Sequence, residues 1–311
     1  MKAPAKLALF GVALLVAFGA AFGIARVVIP DSTVAAWSDR SKSMDHGDHE
    51  MPEGDAADVH GVSLSADGYA LGPVGAPTAV GEAGTLRFRI DDPQGAPLTK
   101  YATSHEKDLH LIVVRDDGTQ FRHVHPQLDA ATGVWSIPWT WAAAGTYRVY
   151  ADFTPAGDGT PSLTLTRTVD VAGQFDPRRP EPSRTSTVDG YTVTLAGDLP
   201  VGSSGQITAT VARDGAPVTA LQPYLGAFGH LVALRQGDLA YLHVHPSGDE
   251  RAAGSTGGPG IEFGVSVPTA GRYLLYLDFQ IDGVVRTATF VVDGVVGSAP
   301  DTSHDHPHGG H

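Results

Sequence analysis

Between about residues 61 and 293, apolar and polar residues alternate in short runs broken by glycine and proline. In "GTLRFRI" from Gly84 every second residue is apolar, and "GQITATV" from Gly205 behaves the same way. That is the period of a strand, with successive side chains on opposite faces. No stretch of this region sustains a helical period of 3.6. The pattern predicts an all-β protein built from many short strands.

The pattern is written twice. "DGYAL" at Asp67 returns as "DGYTV" at Asp189, and "GAPLT" at Gly95 as "GAPVT" at Gly215. "HLIVVRDDGTQFRHVHP" from His110 returns as "HLVALRQGDLAYLHVHP" from His230. "AGTYRVYADF" from Ala144 returns as "AGRYLLYLDF" from Ala270. Five blocks in the same order, counting "GTLRFRI" with "GQITATV", define a duplication. Seven or so strands per copy predict two tandem immunoglobulin-like β-sandwich domains, at residues 61–173 and 186–293. Residues 174–185 join them through a charged, proline-containing linker. "VWSIPWTW" (Val134–Trp141) puts Trp135, Ile137, Trp139 and Trp141 on one strand face, where they read as core, and Pro138 suggests an edge strand.

The ends follow other rules. Lys2 and Lys6 precede an uncharged run from Leu7 to Ala25, close to the ~20 residues that span a bilayer. We expect an uncleaved transmembrane anchor within residues 1–30, with the lysines cytoplasmic and both sandwiches extracytoplasmic. Residues 31–60 form a polar spacer holding Met44, His46, His49 and Met51, and residues 294–311 a tail holding His304, His306, His308 and His311. Both are expected to be disordered.

Composition narrows the chemistry. The 311 residues include no cysteine, so disulfides, thiolate metal sites and cysteine nucleophiles are excluded. A formal charge of −13 makes nucleic acid and anionic lipid surfaces poor partners. No Ser-His-Asp order, phosphate loop or catalytic carboxylate pair stands out, and no enzymatic activity is expected.

The histidines carry the remaining signal. "LHLIVVRDDGTQFRHVHP" reads as a hairpin around Asp117-Gly118. A two-residue turn sets Ile112 opposite His123 and His110 opposite His125, so His110, His123 and His125 share one face. The same count around Gly237-Asp238 groups His230, His243 and His245. These are candidate metal ligands, one three-histidine set per sandwich, with a shared ancestral core network as the alternative. Asp152 and Asp278, in "YADF" and "YLDF", are candidates too, as further ligands or as acceptors that fix a histidine's other nitrogen. His105 occurs in the first copy only. Imidazole donors suit copper(II), zinc or nickel. The spacer and tail histidines are candidate loose chelators.

The His-x-His-Pro and Tyr-x-x-Tyr-x-Asp-Phe blocks resemble a motif of uncharacterised exported or membrane-anchored bacterial proteins. Those are described as tandem immunoglobulin-like or cupredoxin-like and associated with heavy-metal handling. The resemblance implies copper or other heavy-metal binding, with an envelope metal transporter or metalloenzyme as partner. A blue-copper site needs a cysteine and is excluded. The His-Val-His of Cu/Zn superoxide dismutases is present without their zinc loop or disulfide. A cupin-like spacing from Gly237 through His243, His245 and Glu250 to Gly257 has no equivalent in the first copy. The expected function is metal capture, buffering or delivery. The alternatives are a non-metal interaction or scaffold protein of the envelope, or an envelope copper enzyme.

Overall fold

Alternation becomes sheet wherever the sequence predicts it. The computed structural model describes residues 60–157, 159–242, 244–248, 251–252 and 254–295. The expected anchor, the spacer histidines and the tail lie outside these residues, as does His243. Among the described residues every regular element is a strand, and no helix is long and apolar enough to cross a membrane.

The first copy contributes β1 (Ser65–Ala66), β2 (Tyr69–Leu71), β3 (Gly84–Asp91), β4 (Tyr101–Ala102), β5 (Leu109–Arg115), β6 (Arg122–Val124), β7 (Gln127–Asp129), β8 (Val134–Trp139), β9 (Gly145–Pro155) and β10 (Leu163–Val171). The second contributes β11 (Thr185–Val188), β12 (Tyr191–Ala196), β13 (Leu199–Pro200), β14 (Gly205–Arg213), β15 (Ala216–Pro217), β16 (Gly229–Arg235), β17 (Tyr241–Leu242), β18 (His245–Pro246), β19 (Gly260–Val265), β20 (Gly271–Ile281) and β21 (Val284–Val295). One sheet of the first sandwich runs β1-β2-β3-β8-β7 and faces β10-β9-β5-β6. In the second, β11-β12-β14-β19-β18 faces β13-β21-β20-β16-β17. This is the two-sheet strand order of an immunoglobulin-like sandwich.

Each sandwich also has that fold's tyrosine corner. Tyr147, near the start of β9, donates its hydroxyl to the Ala143 carbonyl at 2.8 Å, and Tyr273, at the matching place in β20, donates to Thr269 at 2.7 Å. Leu86, Phe88, Trp135, Trp139, Trp141 and Leu111 fill the first core, and Val193, Ile207, Phe263, Leu277 and Phe290 help fill the second. Ile137 packs against the first core from its margin. Pro138 sits opposite Thr85 of β3, beyond the end of β7, which pairs only with Val134 to Ser136. The strand is therefore internal over its first half and an edge over its second, from Ile137 to Trp139, where the proline falls.

The hairpin turn departs from the predicted two-residue form. The Gly118 N–H donates to the Arg115 carbonyl and the Arg115 N–H to Thr119, which closes a three-residue loop. Gln120, at φ 57°, then inserts one extra residue as a bulge. The two deviations cancel, and Ile112 still pairs with His123.

The largest departure from the sequence reading concerns the outer faces of the sheets. Every residue of β5 is buried. Leu109, Leu111 and Val113 enter their own core, while Ile112 and Val114 join a third cluster with Tyr150 and with Val232, Leu234, Tyr241, Leu274 and Tyr276 of the second copy. The two sandwiches are thus docked sheet to sheet. Reciprocal bonds tie them: Tyr150 donates to the Leu239 carbonyl and Tyr276 to Gly118, each at 2.7 Å. Phe121 stacks on Tyr276 with ring centres 4.0 Å apart. Gly118 has φ +77°, and a Cβ there would lie 2.4 Å from a Leu274 methyl, so only glycine fits the docked turn.

The exposed linker is pinned at its start. Arg115 pairs with Asp117 in a buried bridge at 2.7 Å, and the Arg178 N–H donates to the same carboxylate at 2.8 Å. Burial works to raise Asp117, but bonds from Arg115, Arg178 and Thr119 outweigh it and hold its pKa at about 2.

Candidate metal centre

β5 and β6 present three histidines to the docking face. The cross-strand pair Ile112–His123 sets the register. His110 lies two residues before Ile112 on the same face, and His125 two residues after His123. Their ring nitrogens converge. His110 Nδ1 is 3.0 Å from His123 Nε2 and 3.2 Å from His125 Nε2. Among the described residues, this is the group of three or more potential ligands whose donor atoms all fall within 4.8 Å of one another.

The outer nitrogens fix the tautomers. His110 Nε2 is 3.1 Å from the Ser104 carbonyl, which can only accept. His123 Nδ1 is 2.8 Å from a carboxylate oxygen of Asp278, which also can only accept. Both outer nitrogens therefore carry the proton in a neutral ring. The inner nitrogens, His110 Nδ1 and His123 Nε2, are then lone pairs facing each other across 3.0 Å. His125 can donate to His110, but no hydrogen bond can join His110 to His123 in this state. A cation between them resolves the contact: a metal ion held by both rings, or a proton on His123 Nε2 donated to His110 Nδ1. Burial, and then the like charge of His123, lowers the His110 pKa to about 3; burial, and then His123 and His110, lowers His125 to about 2. The arrangement has the features of an imidazole metal site, in which each ligand's far nitrogen donates to a carbonyl or carboxylate.

Asp278 comes from the second copy, so the fixing of His123 is an inter-domain event. Its other oxygen accepts from Thr287 at 2.6 Å. Asp152, its counterpart, accepts from Tyr241 of the second copy at 3.0 Å and from Thr164 at 3.2 Å.

In the second copy the counted register holds, but the pairing stops before it reaches the histidines. β17 pairs with β16 only at Ala233–Leu242 and Leu234–Tyr241. The chain then crosses to the opposite sheet, where His245 pairs with Gly264. His230 is therefore not set opposite His245 by strand pairing; its partner is Asp278 on β20. The side chain of His230 lines the same cavity as His105, His110 and His123, so it is placed at the domain junction with the first copy's histidines. Burial lowers its pKa to about 4.

Sequence reasoning missed the carbonyls of Ser104 and Tyr224, which orient His110 and His230. Backbone acceptors leave no composition signal. It also missed the inter-domain tyrosines. Their signal was present in the repeated Tyr-x-x-Tyr, whose first member makes the corner and whose second makes the docking bond.

Comparison with known proteins identifies the family. The family model described as "Domain of unknown function (DUF8832)" matches residues 64–173 and again 186–295, so the chain belongs to that family and carries its domain twice. No curated protein matches the chain. Among solved structures it is similar to a chimeric titin Z1Z2 tandem, at 16% identity over 71% of this chain and 93% of that one, with a TM-score of 0.19. The D0-D1 domain of intimin matches at 12% identity over 69% and 92%, with a TM-score of 0.19. The BSP domain of a biofilm-associated protein matches at 13% over 74% and 30%, with a TM-score of 0.21. At such scores these likenesses carry no argument, and the fold assignment rests on strand order and the tyrosine corners.

Proposed function

We propose that this chain, a tandem of two domains of unknown function, is a metal-binding protein whose ion sits on His110, His123 and His125. The observation that carries the reading is the pair of imidazole lone pairs held face to face at 3.0 Å, with the outer nitrogens committed to Ser104 and Asp278. Neutral rings in that arrangement repel one another unless a cation lies between them. The chain has no cysteine, and its methionines are Met1, Met44 and Met51. Nitrogen-only donors favour copper(II) or zinc, with nickel next, over copper(I). Lys2, Lys6 and the apolar run to Ala25 support an envelope location with the sandwiches outside the membrane. Capture, buffering or delivery fits such a site better than turnover.

Docking supports a second reading. The sandwiches are locked by apolar packing and tyrosine bonds that need no ion, and Val284 and Val285 are exposed at 48% and 39%. A scaffold or interaction protein of the envelope would use such a rigid tandem, with the histidines serving as a hydrogen-bond network.

Metal analysis of protein purified without an affinity tag, followed by calorimetric titration, separates the two. The metal reading expects an ion that His110→Ala or His123→Ala removes without unfolding the protein. Unchanged binding in both variants, or no divalent binding in the micromolar range, leaves the scaffold reading.

A further inference from the structure

The cavity beside the triad contains two histidines that the triad does not use. His105 sits at the tip of a two-residue turn, closed by paired bonds between Ser104 and Lys107. Both tip residues are left-handed, His105 at φ 49° and Glu106 at φ 61°. The second copy builds the same left-handed turn, with Leu225 at φ 54° and Gly226 at φ 77°, so the turn belongs to the fold and only the histidine is particular to the first copy.

His105 faces His230 across the domain boundary. Their ring centres are 5.2 Å apart at an interplanar angle of 76°. The three triad pairs have centres 5.0–5.2 Å apart. An ion about 2.0–2.1 Å from each nitrogen holds ring centres roughly 5 Å apart in tetrahedral geometry. Distances between the two sets are longer, 6.2 Å from His105 to His110 and 6.5 Å from His123 to His230. The five rings therefore divide into a three and a two.

His230 is prepared as His110 is. Its Nε2 lies 2.8 Å from the Tyr224 carbonyl, which leaves Nδ1 as the lone-pair nitrogen. Both rings line an inner cavity of about 40 Å³ that also touches His110 and His123, room for an ion and its water. His105 also lines an outer cavity of about 240 Å³ beside Glu262 and Arg251. His105 is the residue that the two linings share.

We propose that His105 and His230 form a second, two-histidine position for the same class of divalent transition-metal ion, through which the triad is loaded. The proposal rests on the triad reading. The test uses the full chain with His46, His49, His304, His306, His308 and His311 changed to glutamine, which removes the loose chelators. Copper(II) is titrated calorimetrically, its uptake followed by stopped flow, and its positions located by anomalous diffraction. Two ions per chain are expected, one among His110, His123 and His125 and one between His105 and His230. His105→Leu, which copies the second domain's residue, and separately His230→Gln should each remove the second ion and slow loading of the first. His123→Ala should remove the first and spare the second. One ion at the triad, with stoichiometry and uptake rate unchanged by His105→Leu and His230→Gln, overturns the second position and leaves the triad standing. No ion in the parent overturns both.

Discussion

Replacing Asp278 by alanine should change the protonation of a histidine in the other domain. The Asp278 carboxylate and the His123 ring are 4% and 5% exposed, 2.8 Å apart. Without the carboxylate, the His123 Nδ1–H becomes a buried donor with no acceptor, which costs about 1–3 kcal/mol. The ring has a cheaper alternative. Moving the proton to Nε2 lets it donate across the 3.0 Å gap to His110 Nδ1. The switch wins because it trades an orphan donor for a neutral hydrogen bond of about 0.5–1.5 kcal/mol. The metal-free variant then loses a charge-assisted bond of about 1.5–3 kcal/mol and regains part of it. Thr287 loses its acceptor in the same variant, so the net destabilisation should be about 2–4 kcal/mol in a urea melt.

Metal affinity should suffer more visibly, because the inner nitrogen is now protonated. Removing such a partner from a ligating histidine typically lowers affinity about 10–100-fold. Long-range nitrogen-15 correlation spectra of the histidine rings should show His123 protonated at Nδ1 in the parent and at Nε2 in Asp278→Ala. Calorimetry should show the affinity loss, with Asp278→Asn losing less because its amide oxygen still accepts. An Nε2-protonated His123 in the metal-free parent would refute the reasoning. So would an Asp278→Ala variant with a switched tautomer and undiminished affinity.

Three further outcomes follow from the same geometry. Burial holds His110 near a pKa of 3 and His230 near 4, against 6.5 in an unfolded chain. The metal-free protein should be fully stable above pH 6.5 and lose roughly 1.4 kcal/mol per pH unit for each histidine as pH falls towards 4; a urea midpoint unchanged from pH 7 to 5 would contradict this. Tyr150→Phe and Tyr276→Phe each remove a buried inter-domain bond and should each cost about 0.5–1.5 kcal/mol in a urea melt; because both rings belong to one packed cluster, the double variant should depart from the sum. Arg115→Ala leaves Asp117 buried without its cation, which should cost about 3–5 kcal/mol and speed tryptic cleavage after Arg178.

Much of the fold was legible because duplication repeats its own evidence. The count from Asp117-Gly118 reached the right pairing of Ile112 with His123, although for an incomplete reason. A longer loop and the bulge at Gln120 each shift the register by one residue, and no residue type at Gln120 announces the bulge. The docking of the two sandwiches was harder to see. "HLIVVR" and "YLLYLDF" have no polar face, a pattern that belongs to sheets covered on both sides. Read one domain at a time, the strands look merely apolar, and His110 and His230 fall into separate sites. Only the partner sheet shows that the acceptor for His123 lies 155 residues away. The crossing of the chain after Leu242, which carries His245 into the opposite sheet, follows from main-chain geometry that leaves no periodic trace.

The Asp278–His123 bond also makes the site reciprocal. Suppose that separating the sandwiches frees His123 from its carboxylate and weakens an ion tenfold. By thermodynamic linkage, the same ion then holds the sandwiches together by about 1.4 kcal/mol. Tension that parts the domains would release metal, and metal would resist the tension. Ion occupancy and inter-domain rigidity would then be one variable, read at either end of a single hydrogen bond.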